Sequence, residues 1–386
     1  PSLVTQPHFY AEDGKVFFAD AYAKPPLTAL VTPVAGYLLL FQRLVALCFT
    51  PLGLTRAAVT FALVSLTVQA LPAVFFVSSR FGHVVPDTRL RLLIASVYLL
   101  LPDPEITGHL TNTQWHLAVL AFLVLTAAPR RCFSWRVFDS VVLVLCGLTG
   151  PYGVILLPLA YLIWRSRLDT WRRCLLTLLA LTDAVQLGFI VSGLVAGLRP
   201  HPPLGVSLTN LVFIIDNQVL RRLLASYIPL SDVVLGCALA AGIVLLLAAA
   251  VRRGPPALRH LIAFAVMIMV FGLAFPYGAV PRGTTVWGVS AYGGWGTRYF
   301  FLMPLLLVLS ALTLLSRRGP RMQRQWTWPA TIGIAVVFCA SLQWVYGAPQ
   351  LQHLDRYQAQ LLHDPPGTVV TIPIDPNPWT MTLVSR

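Results

Sequence analysis

Hydrophobic residues follow one another in long runs along this chain, and short polar segments separate the runs. Stretches of this kind predict transmembrane helices, because a helix satisfies its own backbone polar groups inside lipid. The sequence therefore predicts an all-α membrane protein with about ten membrane helices, several of them short, and with loops on both sides. The predicted spans cover residues 57–79, 92–101, 115–128, 137–148, 153–164, 174–197, 233–251, 258–277, 299–316 and 328–346.

Thr149, Gly150 and Pro151 interrupt the apolar sequence between the fourth and fifth runs. Glycine and proline break helices, so two short helices joined as a hairpin are predicted there. Four of the runs are short, with about 15 to 20 Å of helix against a hydrocarbon core of about 30 Å. We expect the outward ends of these short helices, at 102–114 and 149–152, to line a water-filled cavity.

Arginine clusters predict the orientation, because positive charge is retained on the cytoplasmic side. Of the 28 Lys and Arg residues, 17 fall in five connections that share one side if 137–164 is a hairpin; these are Arg80, Arg89, Arg91, Arg130, Arg131, Arg136, Arg165, Arg167, Arg172, Arg173, Arg252, Arg253, Arg259, Arg317, Arg318, Arg321 and Arg324. Residues 1–56, 102–114, 198–232, 278–298 and the tail from 347 then face the periplasm or exterior.

This orientation divides the chain into three parts. A first periplasmic loop with juxtamembrane helices covers 1–56, a transmembrane helical domain covers 57–346, and a periplasmic tail with a strand-like stretch at 369–372 covers 347–386. The chain opens with Pro1 on the outer side, so we expect one more helix before it and about eleven in total.

Composition excludes several classes of protein. With 57% hydrophobic and 11% charged residues and a mean hydropathy of +0.74, a water-soluble enzyme is excluded. The net charge of +14 follows from the membrane-flanking arginines, so no nucleic-acid partner is predicted. Six scattered cysteines form no CxxC pair, and neither a disulfide framework nor a metal site is predicted.

The first loop carries an acidic pair, Glu12 and Asp13, followed by an aromatic stretch. A carboxylate at a membrane surface can act as a general base on an acceptor hydroxyl. The alternative is a helix cap, because acidic residues before an apolar run stabilise a helix N-terminus.

Glu12-Asp13-Gly14 with Phe17 and Ala21, followed by 33–38 and Arg43, resembles the first loop of GT-C superfamily glycosyltransferases, in particular bacterial members that decorate surface polysaccharides. The resemblance implies a GT-C-like multi-helix bundle in the bacterial inner membrane with its active site facing the periplasm. It also implies a polyprenyl-phosphate sugar donor, a glycan or lipid-linked acceptor, no required cofactor, and Glu12 or Asp13 as the base. A basic residue late in the chain would hold the donor phosphate, and Arg298 is the best match, with Arg282 second.

Further polar and aromatic side chains on the predicted outer face are candidates for substrate binding. Ten of the 14 acidic residues lie on that face. The alternatives are a polar helix cap at 102–116 and a headgroup-anchoring arginine at 298. The candidates for substrate binding are Tyr37, Asp103, Glu105, Asn112, Gln114, His116 and Trp295.

Two rival functions remain open at this stage. Asp183 and Gln186 share one face of a predicted membrane helix. In a transporter or flippase of lipid-linked sugars, they would be the pathway residues. A structural hydrogen bond to a neighbouring helix is the simpler interpretation. An acyltransferase with His109 or His116 as base is the third possibility. Residues 198–232 predict an amphipathic surface helix that carries Asp216, Asn217, Gln218, Arg221 and Arg222.

Overall fold

A computed structural model describes residues 6–101, 103, 105–165, 168–198, 202–220, 233–275, 280, 283–292, 296–316 and 352–386. These residues are mostly helical. Their α-helices are α1 (Ala19–Ala23), α2 (Pro26–Val31), α3 (Leu40–Phe49), α4 (Leu54–Val77), α5 (Thr88–Leu99), α6 (Thr113–Thr126), α7 (Phe133–Gly147), α8 (Tyr152–Trp164), α9 (Thr170–Val195), α10 (Leu208–Ile215), α11 (Val233–Arg253), α12 (Pro256–Ala274), α13 (Val286–Tyr292), α14 (Met303–Ser316) and α15 (Leu354–His363).

Shorter elements complete the described chain. Two strands, β1 (Val369–Pro373) and β2 (Thr380–Val384), pair antiparallel. A π-helical turn, Asp13–Phe18, leads into α1, and a second one, Asp216–Leu220, follows α10. The 3-10 turns are Thr50–Leu52, Ser79–Phe81, Leu110–Asn112 and Thr297–Phe300.

Five helical segments in the described ranges are long and apolar enough to cross a membrane: Leu54–Val77, Thr170–Val195, Val233–Arg253, Pro256–Ala274 and Thr297–Leu314. The chain is therefore an all-α integral membrane protein, as its sequence predicts. Nine of the ten predicted spans coincide with helices, and the tenth, 328–346, lies outside the described residues. The four spans predicted to be short are α5 to α8, with 12, 14, 15 and 13 residues.

The predicted break between α7 and α8 is confirmed. Gly150 adopts a φ of +80°, which glycine reaches without steric cost. Its N–H donates to the carbonyl of Leu38 at 3.0 Å, and the Leu40 N–H donates to the carbonyl of Leu148 at 3.1 Å. The hairpin tip is thus paired to the first loop, which brings residues 38–40 beside the ends of α7 and α8 that meet at this tip.

A buried ion pair joins α7 to the 3-10 turn that follows α4. Arg80 donates two hydrogen bonds to the carboxylate of Asp139, at 2.6 and 3.0 Å, and both side chains are almost fully buried. Arg91 donates to the carbonyls of Val77 and Val85. These two arginines stabilise the connection between α4 and α5, in addition to their place in the charge pattern.

The first loop and the C-terminal tail form one module with a common apolar core. Phe9, Phe17 and Phe18 from the loop pack with Ile372 and Met381 from the two strands. Buried and exposed residues alternate along both strands, as expected for a hairpin with one face on a core. The strand predicted at 369–372 is confirmed.

The predicted surface helix within 198–232 is wrong for its described part. Asp216 and Gln218 are buried, at 0% and 2% exposure, and Phe213 and Ile214 beside them belong to the main apolar core. The Gln218 amide donates to the carbonyl of Ser290 at 2.8 Å, so this segment packs against α13 and does not lie on the surface. Arg221 and Arg222 lie outside the described residues.

Candidate functional site

A small cavity of about 60 Å³ lies where the first loop, the α7–α8 hairpin tip and the start of the last described membrane segment meet. Its wall includes Glu12, Tyr37, Asn112, Gln114 and Arg298. These five residues were singled out in the sequence as candidate site residues, and they come from four separate segments. The fold brings them together.

The two residues of the acidic pair take different positions. Glu12 lines the cavity, and its Oε2 accepts a hydrogen bond from the Thr111 hydroxyl at 3.3 Å. Asp13 points away into the protein and is 4% exposed. Its carboxylate accepts the N–H groups of Thr111 and Leu110 at 2.6 and 2.9 Å. Asp13 thus ties the first loop to the 3-10 turn before α6.

Burial has a strong effect on the protonation of Asp13. It raises the pKa of the carboxyl to about 8, and the nearby charge of Glu12 acts in the same direction. The two backbone N–H donors oppose this increase but do not cancel it. Asp13 is therefore suited to a structural role, because both of its carboxyl oxygens already accept backbone hydrogen bonds.

Arg298 is held by Glu105, and Asp103 contacts the preceding residue, Thr297. Glu105 lies 3.5 Å from the Arg298 guanidinium and accepts the Arg298 backbone N–H at 2.9 Å. The Thr297 hydroxyl donates to both Glu105 and Asp103, at 2.8 and 3.1 Å. Asp103 and Glu105 are therefore placed behind Arg298 and are not part of the cavity wall.

Several polar groups of the wall have unused hydrogen-bonding capacity. The buried Gln114 Oε1 and Trp115 Nε1 have no hydrogen-bond partner in the part of the chain that the structure describes. Asn112 uses its amide to donate to the carbonyl of Glu105 at 2.5 Å. Tyr152 and Tyr299 add aromatic surface to the wall beside Trp115. An acceptor, a donor and aromatic rings around one cavity are suited to a polar, ring-shaped ligand.

The candidate histidines do not line this cavity. His116 is buried within the bundle, where its Nδ1 lies 2.7 Å from the hydroxyl of Tyr98 and its ring packs edge-on against Phe301. His109 stacks on Tyr10 with ring centroids 3.9 Å apart. Arg282 and Trp295 lie outside the described residues.

Tyr10 is a neighbour of the site that the sequence did not single out. Burial raises the pKa of its phenol, and the charges of Glu105, Arg298 and Glu12 all act on it. Trp115 is a wall residue without a sequence signal, because an aromatic residue at a membrane helix end is usually an interfacial anchor. Tyr152, in contrast, lies in the segment 149–152, which the sequence predicts to line a cavity.

A much larger apolar groove, of about 780 Å³, runs between α4, α5, α6, α12 and α14. One end of the groove is lined by Tyr98 and by Leu302, four residues after Arg298, and the other by Pro86, Asp87 and Pro255. Because Pro86, Asp87 and Pro255 lie in or beside arginine-bearing connections, the groove extends from the level of the candidate site toward the opposite face of the bundle.

Among the described residues, no group of three or more His, Cys, Asp and Glu side chains is placed to hold a metal ion. No family model, curated protein or solved structure matches this chain. The cavity and its contacts therefore carry the functional argument.

Proposed function

We propose that this protein is a GT-C-type membrane glycosyltransferase that moves a single sugar from a polyprenyl-phosphate donor to a glycan or lipid-linked acceptor. One observation carries the proposal: a carboxylate, Glu12, and a guanidinium, Arg298, line the same cavity although they come from distant parts of the chain. A base and a phosphate-binding cation are the two groups that this transfer needs.

The chemistry divides between these two residues. Glu12 accepts the proton of the acceptor hydroxyl as that oxygen forms a bond to the anomeric carbon of the sugar. The bond from this carbon to the phosphate oxygen breaks, and the electron pair stays on the lipid phosphate. Arg298 stabilises the negative charge that grows there. Phosphate is a competent leaving group, so the reaction requires no cofactor.

The remaining candidates take supporting roles in this proposal. Glu105 orients Arg298 directly, and Asp103 supports it through the neighbouring Thr297. Gln114, Asn112 and Tyr37 lie on the wall, and in this proposal they bind sugar hydroxyls. His116 lies away from the cavity and has no role in this proposal. Arg282 and Trp295 lie outside the described residues, and their roles stay predictions.

The apolar groove is the proposed site of the polyprenyl chain. It begins four residues after Arg298, is lined almost wholly by apolar side chains and lies between membrane helices. A lipid phosphate bound at Arg298 would place its polyprenyl chain at the end of the groove that Tyr98 and Leu302 line. Burial of apolar surface there contributes about 25 cal/mol per Å² to binding.

The cavity has a volume of about 60 Å³. Because one water molecule requires about 10 to 15 Å³, the cavity has room for only a few water molecules. A sugar ring therefore enters only if the wall moves. Val34, Ala35 and Tyr37 of the turn 34–37 form one part of this wall, and two hydrogen bonds of 2.9 Å between Val34 and Tyr37 close the turn.

The proposed location is the bacterial inner membrane, with the cavity facing the periplasm. This orientation is supported by the arginine connections, which lie at the opposite helix ends from the first loop and the tail. The positive-inside rule then places the loop, the tail and Glu12 outside.

Mass spectrometry of surface and lipid-linked glycans tests the function. Host cells that express the protein should gain one sugar residue, and Glu12→Gln should lose that gain by at least about 100-fold, as expected for removal of a general base. Asp169→Asn is the matched control, because Asp169 caps α9 far from the cavity and Asn caps helices equally well. Glycans that do not change between wild type and Glu12→Gln would overturn the proposal.

A transporter or flippase of lipid-linked sugars is the second candidate, and one observation favours it. Asp183 and Gln186 are buried in α9 at 2% and 0% exposure, and their side chains have no hydrogen-bond partner within the described residues. Unpartnered polar groups in a membrane helix are expensive and often lie on a transport pathway. If Asp183→Asn changes the distribution of lipid-linked sugars across the membrane while glycan composition stays constant, this candidate replaces the first.

A further inference from the structure

We propose that Gln352, at the start of the C-terminal tail, is a positioning residue that holds Glu12 in the cavity. The inference rests on the proposed function for its kinetic consequence, but its structural part can be tested without it. The tail would then complete the candidate active site, although none of its described residues, 352–386, lines the cavity.

Gln352 forms a two-point hydrogen bond with the backbone of Phe9. Its Oε1 accepts the Phe9 N–H at 2.8 Å, and its Nε2 donates to the Phe9 carbonyl at 2.9 Å. The Gln352 side chain is 5% exposed, so both bonds are shielded from water. An amide matches the N–H and C=O of one residue at once, which a carboxylate or a hydroxyl does not.

The same stretch of the first loop pairs with Asp375 in the tail. The Asp375 N–H donates to the Phe9 carbonyl at 3.1 Å, and the Ala11 N–H donates to the Asp375 carbonyl. The Phe9 side chain is buried against Phe18 and Phe61. Phe9 is thus held through its backbone by the tail and through its ring by the core.

Ala11, immediately before Glu12, is in an unfavourable conformation. Its φ is +45°, in the left-handed region that alanine rarely adopts, so the surrounding contacts must impose it. This bend directs Glu12 toward the cavity, while Asp13 is tied to Leu110 and Thr111 on the other side. Without the tail contacts on Phe9 and Ala11, the bend can relax to negative φ, and the Glu12 carboxylate leaves its position.

Hydrogen exchange of the full-length protein in detergent tests the positioning directly. Gln352→Met keeps the length of the side chain but removes both bonds to Phe9, and we expect amides in 9–13 to exchange about tenfold faster. Gln358→Met is the matched control, because Gln358 binds the tail to the Leu54 N–H at the start of α4 instead. Its effect should be confined to residues near Leu54. Equal protection of 9–13 in wild type and Gln352→Met would overturn the proposal.

Kinetics separate positioning from general destabilisation. In membrane vesicles supplied with a lipid extract of the host as donor, Gln352→Met should lower kcat about tenfold with little change in KM, because a displaced base weakens the transition state alone. Adding Ala11→Gly to the Gln352→Met variant should restore part of kcat, since glycine adopts a positive φ without the hydrogen bonds from Gln352 to Phe9.

The outcomes also separate this inference from the proposed function. If Glu12→Gln leaves the glycans unchanged while Gln352→Met still exposes 9–13, the function fails and the structural role of Gln352 stands. If Glu12→Gln abolishes transfer while Gln352→Met and Gln358→Met have equal kcat, the function stands and Gln352 does not position Glu12.

Discussion

At the scale of single residues, the acidic pair shows how two neighbouring carboxylates are given different surroundings. Glu12 lines the cavity, and Asp13 accepts two backbone N–H groups in the protein interior. The side chains diverge because Glu12 and Asp13 begin a helical turn, in which consecutive side chains point in different directions around the axis. Under the proposed function, Glu12 is the base and Asp13 holds the loop that presents it.

Asp13 makes the stability of the first loop depend on pH. Its pKa is about 8 in the folded protein and about 3.9 in an unfolded chain. The folded state therefore binds more protons between these values, so stability from this group is complete below about pH 4 and is lost as the pH rises toward about 8. Asp13→Asn should remove this part of the pH dependence.

Thermal unfolding in detergent across this pH range checks the Asp13 prediction. The variant should also be less stable by about 1 to 3 kcal/mol at acid pH, because the Asn amide group would face an N–H donor. Parallel pH profiles for the wild type and the variant would contradict the assignment, since contributions from other titrating groups cancel in the difference.

At the scale of elements, glycines let the short helices and the first loop approach α9 closely. A Cβ on Gly193 would lie 2.4 Å from the Cα of Gly36, and a Cβ on Gly153 would lie 2.1 Å from the Asp183 carboxylate. Gly36 also has a φ of +80°, which the turn 34–37 requires. This turn forms part of the cavity wall, so the contact between α9 and Gly36 helps to set the shape of the site.

Gly193→Ala should therefore destabilise the protein by about 1 to 3 kcal/mol, because neither backbone can yield easily. Gly188→Ala, on the same helix, is the control: a Cβ there meets nothing within 4 Å, and alanine favours helix by up to about 1 kcal/mol. Thermal stability in detergent measures both changes. A loss at position 188 equal to that at 193 would show that the Gly36 contact is unimportant.

At the scale of the whole molecule, the two ends of the described chain form one module above the membrane helices. Gln358 and Asp355 of α15 bind Leu54 and Thr55 at the start of α4, while Gln352 binds Phe9. The predicted division into a first loop, 1–56, and a separate tail, 347–386, describes the order along the chain. In space these two parts share a core, and through it the tail supports the segment that carries Glu12.

The proposed orientation predicts which cysteines can be labelled from each side of the membrane. Cys48 in α3 and Cys132 before α7 are both exposed. Hydrogen bonds from the Ser134 hydroxyl and from the Ser134 and Trp135 N–H groups lower the pKa of the Cys132 thiol, which favours its reaction with a maleimide. In single-cysteine variants, an impermeant maleimide should label Cys48 from outside intact cells and Cys132 only after lysis.

The reverse labelling pattern would place the cavity on the cytoplasmic side. It would contradict the predicted topology, and a donor and acceptor on the outer face would then be excluded. Labelling of both cysteines from outside would instead show that the arginine-bearing connection before α7 does not lie in the cytoplasm.

The membrane class can be predicted from the amino-acid sequence, as can the positions of nine helices, the break at Thr149 to Pro151 and the strand at 369–372. The sequence also marked Glu12, Tyr37, Asn112, Gln114 and Arg298 as site candidates, which the fold gathers at one cavity. Each of these features has a local signal: an apolar run, a helix-breaking residue, an alternating pattern, or a polar group beside a membrane helix.

Three features follow from the folded structure and not from the sequence: Glu12 faces the cavity, Glu105 and Asp103 lie behind Arg298, and Gln352 binds Phe9. The fold also buries Asp216 and Gln218, which a local amphipathic pattern had placed on the surface. These outcomes depend on contacts between residues far apart in the chain. Such contacts produce no periodic pattern in the sequence. The hydrogen-bond partner of a buried polar group depends on how the helices and loops pack, and not on the residues next to that group in the chain.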